Sequence, residues 1–126
     1  MIDNVLSVTL TNKKATVTEV VDFVEGCVGS SKINIDLRDE GKRPTLNLDN
    51  DEFTLCCLGE KEASVTIKVP KDSFTLSDDN LLVCTLTEQL LEKPDNYKCH
   101  LEWVNNGSKC IFPEFSFKVL DTFCDN

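Results

Sequence analysis

The sequence predicts an all-β fold, a single antiparallel β-sandwich of the immunoglobulin-like kind with about eight strands. Two observations support this fold class. Short stretches in which apolar and polar residues alternate recur along the chain, and residues typical of turns separate them. The clearest stretch is Tyr97–Trp103, in which the odd-numbered residues are apolar and the even-numbered residues are polar. Because successive side chains of a strand point to opposite faces, this segment predicts a strand with one solvated face.

The length and composition predict one globular domain that spans residues 1–126. The chain has 126 residues, of which 40% are hydrophobic and 28% are charged, as in ordinary globular proteins. No apolar stretch reaches the roughly 18 residues that are needed to span a bilayer. Residues Met1–Asn4 lack the features of a secretory signal, so we expect a soluble protein with no membrane partner.

The net charge of −9 argues against nucleic acid and against an anionic membrane surface as partners. Both carry negative charge and are normally bound by clustered lysine and arginine side chains. An acidic surface also keeps a protein soluble and discourages random association. Charge alone leaves open whether the protein has a basic partner.

The first half of the chain contains four predicted strands. Turns rich in glycine or charged residues separate them, including the charged turn Asp39–Pro44. The β-branched content of the segment from Ala15 to Val24 favours strand over helix. The last of them is apolar in both phases, which predicts a central strand buried on both faces. The four are Leu6–Leu10, Ala15–Val24, Ile33–Leu37 and Phe53–Leu58.

The second half contains further predicted strands and one short helical turn near residues 87–93. Thr87 is expected to cap this turn, which ends before Pro94. The pair Asn106-Gly107 predicts a tight hairpin after the Tyr97 strand. Residues 121–126 are expected to form a short tail. The predicted strands are Val65–Val69, Leu81–Leu86, Tyr97–Trp103, Lys109–Phe112 and Phe115–Val119.

No catalytic, metal or cofactor site is expected. The seven cysteines are interpreted as mostly reduced thiols, because their number is odd and no secretory signal precedes them. Cys56 and Cys57 are adjacent, and so are Cys99 and His100, so a strand sends the members of each pair to opposite faces. This argues against a zinc site and against a cysteine nucleophile that is paired with the only histidine. Cys110 is expected opposite the Cys99 strand, as another core thiol.

Two acidic segments and one tryptophan offer weaker functional alternatives. Asp49–Glu52 and Asp78–Asn80 contain oxygen ligands for Ca²⁺, but both are interpreted as turns in which Asp and Asn bond their own backbone. Trp103 could be an exposed binding anchor. It is interpreted as a core residue, because it shares its phase with Tyr97 and Leu101.

The order of these elements resembles the N-terminal β-sandwich domain of the baseplate upper proteins of tailed phages. Three segments carry the resemblance, which covers most of the chain. Val21–Gly26 is similar to a strand and glycine of that family, and Ile33–Leu48 is similar to its strand, charged turn and return strand. Leu82–Val119 contains a Leu-Leu turn, a Pro-x-x-Tyr strand start, an Asn-Gly hairpin and a Phe-x-Phe-x-Val strand.

The resemblance implies a non-enzymatic virion structural protein, an assembly or attachment module of a baseplate, tail or head fibre. Its partners would be other virion proteins and copies of itself in a homo-oligomer. It would be made in the host cytoplasm and located in the virion. Residues 1–14 would then hold a candidate assembly strand, Leu6, Val8 and Leu10, which could pair with a neighbour's sheet. The alternative is that this strand completes its own sheet.

Two other functions remain open. An immunoglobulin-like module could bind a host receptor or a carbohydrate, and a cluster of exposed aromatic side chains on loops would favour that function. A small phage inhibitor of a basic host protein would fit the net charge of −9.

Overall fold

Two β-sheets whose inner faces share one hydrophobic core make up the protein, in a computed structural model that describes residues 2–122. The strands are β1 (Asn4–Leu10), β2 (Ala15–Glu19), β3 (Phe23–Val24), β4 (Ser31–Leu37), β5 (Glu52–Gly59), β6 (Thr66–Val69), β7 (Phe74–Leu76), β8 (Leu82–Thr85), β9 (Asp95–Asn105), β10 (Ser108–Ile111) and β11 (Phe115–Leu120). The first sheet has the order β2-β1-β4-β8-β7. The second has the order β3-β11-β9-β5-β6, with β10 also beside β9. The all-β prediction is therefore confirmed.

The predicted antiparallel arrangement holds for most strand pairs and is wrong for two. β1 runs parallel to β4, with Leu6 opposite Ile33, and β3 runs parallel to β11, with Phe23 opposite Val119. Parallel neighbours need a crossover connection, and residues 11–30 supply it between β1 and β4. Alternation along one strand carries no information on the direction of its neighbour. The sheets are mixed, and the immunoglobulin-like form is not confirmed.

The predicted strand Ala15–Val24 is divided between the two sheets. Its first part is β2, at the edge of the first sheet, and its last part is β3, at the edge of the second. The intervening residues 20–22 cross from one sheet to the other. This division and the three-residue strand β7 each add one strand to the nine segments predicted above, which gives eleven strands within residues 2–122.

One four-residue helix, α1 (Glu88–Leu91), connects β8 to β9. The Thr87 hydroxyl oxygen accepts a hydrogen bond of 3.4 Å from the backbone N–H of Leu90, as expected for an N-cap. Leu90 and Leu91 are buried, so apolar contact with the core holds this short element in place. A 3₁₀ turn, Lys71–Ser73, precedes β7.

The hairpin between β9 and β10 forms at the predicted Asn-Gly pair. Asn106 has a φ of 51° and Gly107 a φ of 80°, as a tight turn with two left-handed residues requires. On β9 the alternation also appears as predicted: Tyr97, Cys99 and Leu101 are buried. Cys110 lies on β10 beside the Cys99 strand β9, as predicted, and its direct partner there is Trp103.

Cysteine contributes to the core as a small apolar residue. Cys57, Cys84 and Cys99 are at most 1% exposed, and they pack with leucine, isoleucine and phenylalanine side chains from both sheets. The six cysteines between residues 2 and 122 are free thiols. Cys124 and most of the predicted tail 121–126 lie outside the described residues.

Candidate functional site on the outer face of the second sheet

The outer face of the second sheet carries more lysines than acidic side chains, which are Glu52 and Glu102, although the chain as a whole is acidic. Exposed lysines project from four of its strands, and we call this surface the lysine face. The strand registers place all four on the side opposite the core. They are Lys68 on β6, Lys98 on β9, Lys109 on β10 and Lys118 on β11. In a protein with a net charge of −9, this face concentrates the opposite sign.

An apolar groove lies at one end of the lysine face, beside the segment that crosses between the sheets. Its volume is about 560 Å³, and Tyr97 and Phe117 contribute to its lining. Val20 and Leu58 also line it and are 76% and 37% exposed. Lysines and acidic residues complete the lining, so apolar surface is bordered by charge, as in the core and rim of a protein interface.

A cluster of cysteine, histidine and glutamate lies near the middle of the same face. The antiparallel pairing of β5 and β9 places Cys56 directly opposite His100. The Glu102 Oε2 atom lies 3.5 Å from Cys56 Sγ and 3.0 Å from His100 Nε2. Lys109 Nζ lies 3.0 Å from the other carboxylate oxygen, Oε1. One atom from each of Cys56, His100 and Glu102 lies within 4.8 Å of the other two.

The electrostatics of the cluster favour a neutral thiol beside a charged carboxylate. Hydrogen bonds from His100 and then Lys109 lower the pKa of Glu102 to about 2, against the effect of partial burial. Burial raises the pKa of Cys56 to about 11, and the neighbouring Glu102 carboxylate adds to that rise. Cys56 therefore keeps its proton at neutral pH, and its S–H group donates a hydrogen bond to the Glu102 carboxylate.

This arrangement differs from that of a cysteine nucleophile with its base. An activated cysteine has a lowered pKa and an imidazole that takes its proton, with an acid behind the imidazole. Here the carboxylate oxygen lies between the thiol and the imidazole, and the pKa of Cys56 is raised. The residue types, sulfur, nitrogen and oxygen donors on one face, are instead those of a transition-metal site.

Reasoning from the sequence missed this cluster. It tested His100 only against its sequence neighbour Cys99, and it correctly placed Cys99 inward and His100 outward. Cys56, which shares the outer face with His100, lies on a different strand, and only the register between the two strands brings them together. The signal that the sequence offered was the presence of metal-ligand residue types on the outward faces of separate predicted strands.

The predicted assembly strand lies inside its own sheet. β1 pairs with β2 along one edge and with β4 along the other. Leu6, Val8 and Leu10 are at most 1% exposed and belong to the core. This is the arrangement of a strand that completes its own sheet, and a role in assembly stays a prediction.

The acidic segment before β5 forms a turn, as predicted. The backbone N–H of Asp49 donates to the Asn47 side chain at 2.9 Å, and the backbone N–H of Asn47 donates to Asp51 at 2.8 Å. Trp103 packs against the core and stacks on Phe53 with a centroid distance of 5.6 Å. Its indole N–H donates to the buried Asp51 at 3.0 Å. These residues connect the turn to β9.

The fold defines a class: an all-β domain of two mixed sheets that enclose one core. No family model and no curated protein matches the chain. Among solved structures, it is similar to the "N-terminal domain of phage TP901-1 ORF48", with a TM-score of 0.63 over 92% of this chain and 98% of that chain. The two sequences are 12% identical, so the similarity concerns the fold. The predicted resemblance to a phage protein domain is confirmed at that level.

No helix in residues 2–122 is both long enough and apolar enough to cross a membrane.

Proposed function

We propose that the chain is a non-enzymatic structural module of a phage virion, which assembles with other virion proteins and with copies of itself. The observation that carries this proposal is the fold similarity to a phage protein domain over 92% of this chain and 98% of that one. A baseplate, tail or head fibre is the setting that we propose, with synthesis in the host cytoplasm and a final location in the virion.

The surface supports an assembly role through charge and shape. The lysine face differs in charge from the acidic remainder of the molecule. The acidic surface of another copy of this chain, or of another acidic subunit, can therefore bind the lysine face through complementary charge. The groove beside it offers apolar area at Val20 and Leu58 with charged residues around it. The raised pKa of the Cys56 thiol disfavours a cysteine nucleophile in the cluster on this face.

Mass spectrometry of purified virions tests the proposal most directly. The expected result is recovery of peptides from this chain in particles that have been washed and banded by density. Light scattering coupled to size exclusion should show self-association of the purified chain that weakens as salt rises. A strictly monomeric chain that is absent from particles would overturn the proposal.

Charge reversal tests the docking surface separately. The double variant Lys98→Glu/Lys118→Glu removes two lysines beside the groove and should abolish self-association. Lys13→Glu/Lys14→Glu changes two exposed lysines that follow β1 and produces the same change in net charge. Equal loss of self-association in both variants would show that total charge matters and that the lysine face does not.

A further inference from the structure

We propose that Cys56, His100 and Glu102 bind one Zn²⁺ ion on the outer face of the second sheet. A thiolate sulfur, an imidazole nitrogen and a carboxylate oxygen are all common zinc ligands. A thiolate in the set selects against Mg²⁺ and Ca²⁺, which prefer oxygen ligands. The inference does not depend on membership of a virion.

The spacing of the donor atoms is within a few tenths of an ångström of tetrahedral spacing for both contacts of Glu102. With bond lengths of about 2.0–2.3 Å, neighbouring ligands of Zn²⁺ lie about 3.3–3.8 Å apart. Glu102 Oε2 lies 3.5 Å from Cys56 Sγ and 3.0 Å from His100 Nε2. The three atoms lie within 4.8 Å of one another, so small side-chain rotations can seat the ion between two fixed strands.

The surroundings of the cluster hold the ligand side chains in place and also leave the site open to an ion from solvent. Cys56 is 5% exposed and is held on the central strand β5. The side chains of His100 and Glu102 are 31% and 21% exposed, which gives an ion a route from solvent and leaves the fourth ligand position to water. Lys109 holds Oε1 of Glu102 at 3.0 Å, and this contact orients Oε2 toward the other two ligands.

Charge balances when the ion binds. The Cys56 thiol proton passes to solvent as the Zn–S bond forms, and the thiolate and the Glu102 carboxylate together neutralise the two positive charges. Lys109, which contacts Glu102, and Lys68, which lies opposite Cys56 on β6, therefore face a neutral site. Without such neutralisation the positive charges of these lysines would repel a bound cation.

Titration of the reduced full chain with Co²⁺, a spectroscopic substitute for Zn²⁺, tests the site. The expected result is a thiolate-to-cobalt charge-transfer band that saturates at one equivalent and disappears when Zn²⁺ is added. Cys56→Ser should abolish the band. Loss of supporting contacts alone costs about 10–100-fold in affinity, so His100→Gln and Glu102→Gln should each weaken binding by at least about tenfold.

Cys110→Ser is the matched control, because Cys110 is a half-buried thiol on a neighbouring strand. It should leave the band unchanged. A band that is absent in the wild-type chain, or that survives Cys56→Ser, would overturn the proposal. If circular dichroism shows that Cys56→Ser does not fold, the variants of the two partly exposed ligands replace it as the test. Zn²⁺ should then raise the thermal midpoint of the wild type more than that of His100→Gln or Glu102→Gln at the same Zn²⁺ concentration, and equal increases in all three proteins would overturn the proposal.

Discussion

At the scale of single residues, Asp51 is a buried polar side chain whose hydrogen bonds stabilise one end of the second sheet. It is 2% exposed and accepts hydrogen bonds from the backbone N–H of Asn47 at 2.8 Å and from the Trp103 indole at 3.0 Å. The Asn105 amide also donates to it. The buried Asp51 carboxylate accepts three hydrogen bonds and so joins the turn before β5 to the end of β9. Removal of the carboxylate would leave the three donor groups unpaired.

We predict that Asp51→Asn lowers the free energy of unfolding by about 1–3 kcal/mol. The amide retains the shape but replaces one acceptor oxygen with an NH₂ group that faces another donor. Urea denaturation of the variant and the wild type measures the difference. Asp49→Asn is the control, since Asp49 is exposed in the same turn and its replacement should change stability by less than about 0.5 kcal/mol. Equal losses in both variants would contradict the role of Asp51.

The contribution of Asp51 should also depend on pH. Burial, the largest single influence, raises the pKa of Asp51, but the hydrogen bonds from Asn47, Asn105 and Trp103 outweigh it, and the net pKa is lowered. Stability from a lowered pKa is present above the unfolded pKa, about 3.9, and is lost as pH falls through the folded pKa. The difference between wild type and Asp51→Asn should therefore be constant from neutral pH to about pH 5 and shrink below about pH 4. Urea midpoints at pH 7, 5 and 3 measure this, and a difference that grows toward pH 3 would contradict it.

Single residues also show what a sequence can and cannot reveal about the candidate site. The alternation around His100 predicts that it points outward, and this is confirmed. The position of Cys56 opposite His100 depends on the register of two strands that are distant in sequence. No local pattern encodes that register, so the cluster emerges only from the folded sheet.

At the scale of elements, β1 is a strand that is buried on one face and enclosed on both edges. Leu6 is 1% exposed, whereas Ser7 is half-buried on the opposite face. We predict that Leu6→Ala lowers the free energy of unfolding by about 2–5 kcal/mol, because it removes buried methyl groups and leaves a cavity. Ser7→Ala, the matched control on the same strand, should cost less than about 1 kcal/mol.

Chemical denaturation of both variants checks the prediction for β1. Similar losses at the two positions would mean that the strand does not hold one face toward the core. A large loss at Leu6 alone would agree with a strand that completes its own sheet.

The strands themselves could be predicted well, but their partners could not. Period-two alternation identifies β4, β9 and β11 and assigns their inner faces, because burial of one face imposes that pattern. The parallel pairing of β1 with β4 has no local signature, and neither does the division of Ala15–Val24 between two sheets. These features depend on where the chain crosses, which the packing of the whole core decides.

At the scale of the whole molecule, the thiols differ widely in exposure. Cys27 and Cys110 are half-buried, whereas Cys57, Cys84 and Cys99 lie in the core. Burial also raises the pKa of Cys84 and of Cys99, and the thiolate is the reactive form. Accessibility therefore favours reaction at Cys27 and Cys110, whereas burial protects the core thiols.

We predict that an alkylating agent modifies Cys27 and Cys110 within the first part of a time course at neutral pH. The core thiols should react only at the rate of global unfolding. Peptide mass spectrometry after timed quenching measures each site separately. Labelling of Cys84 as fast as Cys27 in native buffer would contradict the prediction. Denaturant should make all the rates similar.

The distribution of charge is likewise a property of the whole molecule. Composition predicts an acidic protein, and the net charge of −9 would suggest an acidic surface throughout. Four lysines that are scattered along the chain instead meet on one face, because four strands place them there. The sign of a surface patch depends on topology, and average composition does not reveal it.

The parallel pair of β3 and β11 has a consequence for synthesis. Phe23 and Val24 leave the ribosome early. Their partners in the second sheet, Val119 and Leu120, leave 96 residues later, at a synthesis rate of about 5–20 residues per second. During those seconds the nascent chain carries an unfinished sheet with its apolar face unprotected. The second sheet is therefore complete only when β11 emerges, and until then its exposed apolar face makes the nascent chain prone to aggregation.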